Sequence, residues 1–346
     1  MGPLTPRRLW LSVGVCALAA VAAILISPGV GTTPLGLVDA WKSLGDPEGH
    51  AQAYTIAFGL RLPRAGKALL VGMTLALCGA VFQTLFRNPL ATPYTLGIAS
   101  GGSLGALVAI KLGLVGGFLF LSPVTLCAFA GAAAVVAAVA TLARATRGMS
   151  SNSLLLGGVT IAFFCSALML FVQYFASERE AFAIMRWMMG SLETVGIEEA
   201  FGLLPLLVVA WGVLLMQARA LNQYELGEEV AASRGVDPGH LQAVCIGFAS
   251  LATAAVVSVC GPIGFVGLIV PHAVRGVFGR DARILLPTAA LLGGTFLIVC
   301  DWVSALGPRV YGRLVGQEYI AHLPIGVTTA LIGAPLFLVI LRRRLR

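Results

Sequence analysis

The side chains of this 346-residue chain that could do chemistry are few and scattered. Its four histidines, His50, His240, His272 and His322, form no H-x-x-x-H pair and have no cysteine cluster beside them, so no metal site is expected. The seven cysteines (Cys16, Cys78, Cys127, Cys165, Cys245, Cys260 and Cys300) all lie in apolar runs without a C-x-x-C pair. They read as small buried hydrophobes, neither disulfides nor ligands. A phosphate-cradling loop needs G-x-x-x-x-G-K-[ST]. The nearest stretch, Gly59…Gly66-Lys67-Ala68, has the wrong spacing and lacks the hydroxyl, so this chain is not expected to hydrolyse ATP. No G-x-S-x-G elbow is present. The chemistry on offer is charge and backbone breaking, not catalysis.

Both concentrate at a few places. Gly261–Pro287, GPIGFVGLIVPHAVRGVFGRDARILLP, opens on a Gly/Pro break and an apolar run, then gathers Pro271, His272, Arg275, Arg280, Asp281 and Arg283. Arginines collect where membrane helices end on the cytoplasmic side. Arg61-Leu62-Pro63-Arg64 precedes another apolar run, as an interfacial anchor or as a basic dock for an acidic partner. Arg87-Asn88-Pro89-Leu90-Ala91 closes that run; Pro89 and Pro93 stop helices, and Asn88 can satisfy freed backbone groups. Asn222–Asp237, NQYELGEEVAASRGVD, puts Leu226, Val230 and Ala231 on one helical face and Glu225, Glu228 and Glu229 elsewhere. It is either a solvated loop or a short amphipathic coupling element.

The elements that position these residues are membrane helices. Hydrophobic residues make up 58% of the chain and charged residues 11%, against about 25% charged in soluble proteins. A span needs roughly 20 apolar residues. Apolar runs at 9–27, 66–86, 95–115, 118–142, 153–175, 200–217, 241–260, 263–278, 284–303 and 324–341 predict ten spans in one membrane domain, 1–346. The first run is longer than the roughly 7–15 apolar residues of a signal peptide and reads as an uncleaved span. With both termini inside, most of the 23 Lys and Arg residues fall on the cytoplasmic side, so the net charge of +8 reports topology rather than nucleic acid. Gly-, Ala- and Ser-rich runs predict close helix contacts. Ser177–Glu199 is expected to form a short outer surface helix, and Trp302–His322 a long outer loop carrying Arg309, Arg313 and Glu318. Leu70–Leu90 and Ala249–Pro271 echo each other five spans apart, as inverted repeats do.

Taken in order, Arg61-x-Pro-Arg, Gln83…Arg87-Asn88-Pro89-Leu90-Ala91…Leu96-Gly97, Trp187…Gly190-Ser191-Leu192, Gly227-Glu228…Ala231…Gly235-Val236, Phe265-Val266-Gly267-Leu268…Pro271-His272…Arg275, Asp281-x-Arg283…Leu286-Pro287 and Leu323-Pro324-Ile325-Gly326-Val327…Gly333-Ala334-Pro335 resemble the FecCD family. These are permeases of importers for iron–siderophores, haem and vitamin B12. The resemblance runs from about residue 55 to 341. It implies an all-α, ten-helix permease of the vitamin B12 importer type, paired as a homodimer. Two separate ATPase subunits would bind ATP and magnesium inside, and a periplasmic binding protein would deliver the metal chelate outside. By that likeness the segment 222–236, with Leu226, Gly227, Glu228, Glu229, Ala231, Arg234 and Gly235, corresponds to the coupling helix that grips the ATPase. Arg61 and Arg64 correspond to the dock for binding-protein carboxylates.

The chain departs from the family pattern in a few places. Ala305 stands where an arginine usually follows Asp301 by four, leaving Arg309 and Arg313 as the candidates to replace it. His322 replaces a usual glutamate, the 301–323 loop is longer, and Arg234 stands at a commonly apolar position. Among cargoes, ferric siderophore ranks first, with haem and cobalamin behind it. The rival class, an ion-coupled secondary carrier, would bury ionisable residues in mid-span. Asp301 is the only acidic candidate, which argues against it.

Overall fold

The computed structural model describes residues 5–114, 116, 121–145, 151–193, 197–316 and 322–344. In chain order the helices are α1 (Pro6–Ile26), α2 (Leu37–Gly45) and α3 (Ala51–Tyr54), whose π-helical continuation Thr55–Arg61 runs into α4 (Leu62–Leu85). Then come α5 (Ile98–Lys111), α6 (Pro123–Ala145), α7 (Ser151–Tyr174), α8 (Glu178–Met188), α9 (Ile197–Gly202), α10 (Leu204–Met216), α11 (Ala218–Glu225) and α12 (Glu228–Ser233). The last four are α13 (Pro238–Cys260), α14 (Val266–Phe278), α15 (Ala282–Val315) and α16 (Ile325–Arg344). Among the described residues, five helical stretches are long and apolar enough to cross a membrane: 6–29, 51–85, 155–174, 238–260 and 282–315. A sixth candidate is α10 with α11, bent by 48°; 98–111, 123–139, 266–278 and 325–340 are shorter apolar helices. These ten segments coincide with the ten apolar runs of the sequence. All-helical structure is what lipid demands, since it satisfies every backbone group within its own segment.

α4 is the axis of the bundle, buried along most of its length and packed against α13, α14 and α15. Glycine makes this packing possible. A Cβ at Gly72 would run into the Gly293 carbonyl of α15, and one at Gly79 into the Gly267 carbonyl of α14. Outward faces of α1 and α7 show large apolar side chains such as Trp10, Leu18, Phe163 and Phe171, as lipid-facing helices do. The two sides of the bundle can be named by acidic residues on α15. Asp281 caps its N-terminus, and Asp301 lies about 30 Å of helix further along.

The stretch 302–322 is not a loop throughout: α15 continues to Val315 and the remainder to residue 321, with Glu318, lies outside the described residues. Pro308 lies inside this helix. Proline at 308 removes the N–H that would bond the Ser304 carbonyl. That carbonyl instead accepts from the Leu323 N–H at 3.1 Å, and Ser304 Oγ in turn donates to the Leu323 carbonyl. A neighbouring segment thus repairs the ladder, and the helix survives its proline. The echoing stretches also differ locally. Leu70 to Leu85 is one helix, whereas Ala249–Pro271 is split between α13 and α14 by Gly261–Phe265.

Candidate functional site

At the Asp281 end, two turns of the chain lock together. Asp281 caps α15, accepting from the Arg283 N–H at 3.0 Å and from the Arg283 guanidinium at 2.8 and 3.0 Å. Asn222 joins it: Asn222 Nδ2 donates to Asp281 at 2.8 Å, and Asn222 Oδ1 accepts from the Ala282 N–H at 2.7 Å. The hydrogen bonds from Arg283 hold the Asp281 carboxyl down at about 2, so it is ionised throughout the physiological range. Two residues on from Asn222, the fully buried Tyr224 links three elements. Its hydroxyl donates to Glu228 of α12 at 2.7 Å and accepts from Gln242 of α13 at 2.6 Å. The Arg87 guanidinium lies 4.9 Å from its ring centre, a cation–π contact. Arg87 (φ 49°) and Asn88 form the turn below α4, where Asn88 Oδ1 accepts from the Leu90 N–H at 2.9 Å before Pro89 directs the chain away.

The short helix α12 follows Gly227, whose φ of 139° suits glycine alone. This break separates residues the sequence placed on one face. Leu226 ends the α11 turn and is 63% exposed, and Val230 is exposed too, whereas Ala231 is buried. Glu228, Glu229, Arg234 and Gly235 are exposed. The segment therefore turns Ala231 inward and leaves Leu226 and Val230 exposed among charged residues.

At the Asp301 end, Arg64 and Asp301 form a buried ion pair. Arg64 Nε reaches the two carboxylate oxygens at 2.8 and 3.1 Å, and its terminal nitrogen lies 2.8 Å from Oδ1. Arg61 donates to the carbonyls of Pro28, at 2.9 Å, and Thr33; Arg309 donates to Gly31 at 2.9 Å. These two arginines clamp the turn after α1. Of the four arginines read as a dock, Arg61, Arg64 and Arg309 thus have partners within the chain, and Arg313 is exposed. The pair lines a cavity of about 180 Å³ together with Ala305 and His322. Burial first, then the charge of Arg64, lowers the His322 pKa, which leaves the ring neutral at pH 7. Lys67, one turn along α4 and almost fully buried, donates to the Glu193 carbonyl at 3.0 Å.

Between the two ends, α14 carries Pro271 and the buried His272, whose ring stands edge-on to Phe337 of α16. Arg275 reaches across to α4, where it meets Gln83 Oε1, Thr84 Oγ1 at 3.0 Å and the Ala80 carbonyl at 3.3 Å. Asn222 and Tyr224 are legible in the sequence only as letters of the 222–237 segment, Lys67 only in a rejected phosphate loop, and Gln83 only as a motif letter. Apart from Glu228, four positions from Tyr224, their partners stand from 18 to nearly two hundred positions away, a pairing that one-dimensional periodicity does not carry. No group of three His, Cys, Asp or Glu among the described residues could hold a metal.

The described residues form a polytopic helical bundle with a short, largely exposed helix, α12, at one end. Residues 18–343 match the model of the FecCD transport family, and the chain belongs to that family. It is 42% identical to the cobalamin import system permease protein BtuC of Halobacterium salinarum, across 84% of this chain and 74% of the relative. It is 37% identical to the vitamin B12 import system permease protein BtuC of Shigella boydii, across 89% and 90%. An uncharacterised ABC transporter permease protein of Bacillus subtilis, YvrB, is 38% identical across 84% and 80%. A solved ABC transporter described as of metal-chelate type, in an inward-facing conformation, superposes with a TM-score of 0.81 at 30% identity, over 96% of this chain and 98% of that one. The chain is accordingly a multi-pass membrane permease of an ABC importer.

Proposed function

We propose that this chain is the permease of a metal-chelate importer, with cobalamin as its first-ranked cargo. The observation that carries the reading is the exposed Leu226/Val230 pair beside a helix break, joined through Glu228, Tyr224 and Arg87 to the foot of α4. An ATPase gripping α12 would pull on the axis of the bundle through bonded groups. The sequence ranked ferric siderophore first. Two of the three named relatives are cobalamin permeases and favour cobalamin, itself a metal chelate; haem follows.

In this reading the Asp281 end faces the cytoplasm with both termini, and the Asp301 end faces the periplasm. Two copies flank the path as a homodimer, two ATPase subunits supply ATP and magnesium chemistry, and a binding protein docks outside. Because Arg64 is paired with Asp301, the dock rests on Arg313 and on the exposed edges of Arg61 and Arg309. Alternating access is a shift between two helix packings, biased by nucleotide in the partner.

Reconstitution tests it. Proteoliposomes holding this chain, its ATPase and its binding protein are expected to accumulate cobalamin when ATP is present, while the chain alone hydrolyses no ATP. Accumulation of ferric siderophore or haem instead would overturn the cargo, and hydrolysis by the isolated chain would overturn the division of labour.

A further inference from the structure

Pro271 stands inside α14 and has no N–H to give the carbonyl four residues earlier, that of Gly267. In lipid an unpaired carbonyl is costly, so some other group must fill the vacancy. Gln83 of α4 does so. Its Nε2 donates to the Gly267 carbonyl at 3.1 Å and to the Leu268 carbonyl at 3.1 Å. The residue is only 3% exposed. The amide must present its nitrogen, not its oxygen, to those carbonyls. Arg275, one turn beyond Pro271, donates to Gln83 Oε1 and thereby fixes that orientation. The Gly79–Gly267 backbone contact brings the two helices close enough for a glutamine to span the gap.

The same problem is solved at Pro308 by a backbone N–H, that of Leu323. The contrast is informative. A side-chain amide can slide between neighbouring carbonyls without breaking a helical ladder. Helix α14 is short and is bounded by Gly261–Phe265 at one end and Gly279 at the other, so it can tilt as a unit about this point.

We propose that Gln83 is a positioning residue that replaces the hydrogen bond removed by Pro271, with Arg275 as its orienting partner, and that transport uses the proline-opened ladder so held. The transport part rests on the importer reading above; the structural part does not.

A double-mutant cycle on the full chain tests both. Gln83→Ala is expected to lower the thermal midpoint in detergent and to cut uptake in the reconstituted complex about tenfold. Pro271→Ala restores the missing N–H. In that background Gln83→Ala is expected to cost clearly less of the midpoint than in the wild type, because the Gly267 carbonyl is already served and only the Arg275 and Leu268 contacts are lost. Pro271→Ala alone is expected to keep or raise the midpoint yet lose uptake, since the ladder of α14 is then closed. Gln83→Glu, which turns an oxygen toward the carbonyls, is expected to be no better than Gln83→Ala, a distinction that general packing would not make. An equal loss of midpoint from Gln83→Ala in both backgrounds overturns the replacement role. Wild-type uptake by Pro271→Ala overturns the transport role of the opened ladder. Absent uptake by the wild-type complex would instead indict the importer reading, while the melting cycle stands apart from it.

Discussion

Asp301→Ala is expected to destabilise the bundle by about 3–5 kcal/mol, because it strands the Arg64 guanidinium without its carboxylate. The side chains of the pair are only 13% and 12% exposed, so water reaching them through the adjoining cavity screens the stranded charge only in part. Replacing both, as Arg64→Met with Asp301→Leu, is expected to recover most of that loss, since two apolar groups leave no buried charge. Denaturant unfolding in mixed micelles reads the difference. Equal losses in the single and double variants would show that the cost lies in packing, not charge. The pair joins the first turn of α4 to α15. Arg64 on this geometry is a brace, whereas Arg313 further along α15 is exposed. If a binding protein docks at this end, as proposed above, its carboxylate has to displace Asp301 to reach Arg64.

The sequence made the ten helices plain because lipid leaves few options: each span must be apolar, long enough and internally bonded. Glycine-rich runs likewise announced close contacts, and Gly72 with Gly293 and Gly79 with Gly267 are where they occur. What periodicity could not carry was the pairing of distant polar groups. Arg61, Arg64 and Arg309 looked alike as surface cations, and only the tertiary fold supplies Pro28, Asp301 and Gly31 as their partners. The loop expected at 302–322 failed for a related reason: α15 runs on through Pro308 because the distant Leu323 N–H takes up the carbonyl that this proline frees. The amphipathic face drawn through Leu226, Val230 and Ala231 assumed one helix across Gly227, and the left-handed backbone there rotates Ala231 into the core.

That rotation sets up the second large effect. Leu226→Asp with Val230→Asp is expected to abolish uptake by releasing the ATPase, as central apolar anchors each contribute about 2 kcal/mol or more to such contacts. Both side chains are exposed in the isolated chain, so the fold should be unharmed and the midpoint unchanged. Co-purification of the ATPase reports its release, and uptake by proteoliposomes reports the consequence. Tyr224→Phe separates grip from transmission. It keeps the buried ring under Arg87 but removes the hydroxyl that ties Glu228 to Gln242. The ATPase is then expected to stay bound and hydrolyse ATP while uptake falls, because α12 can move without carrying α13 and the foot of α4. If Tyr224→Phe transports normally, the force passes through the backbone of α11 alone. If the Leu226/Val230 variant still holds its ATPase, the gripping surface lies elsewhere on this end of the bundle.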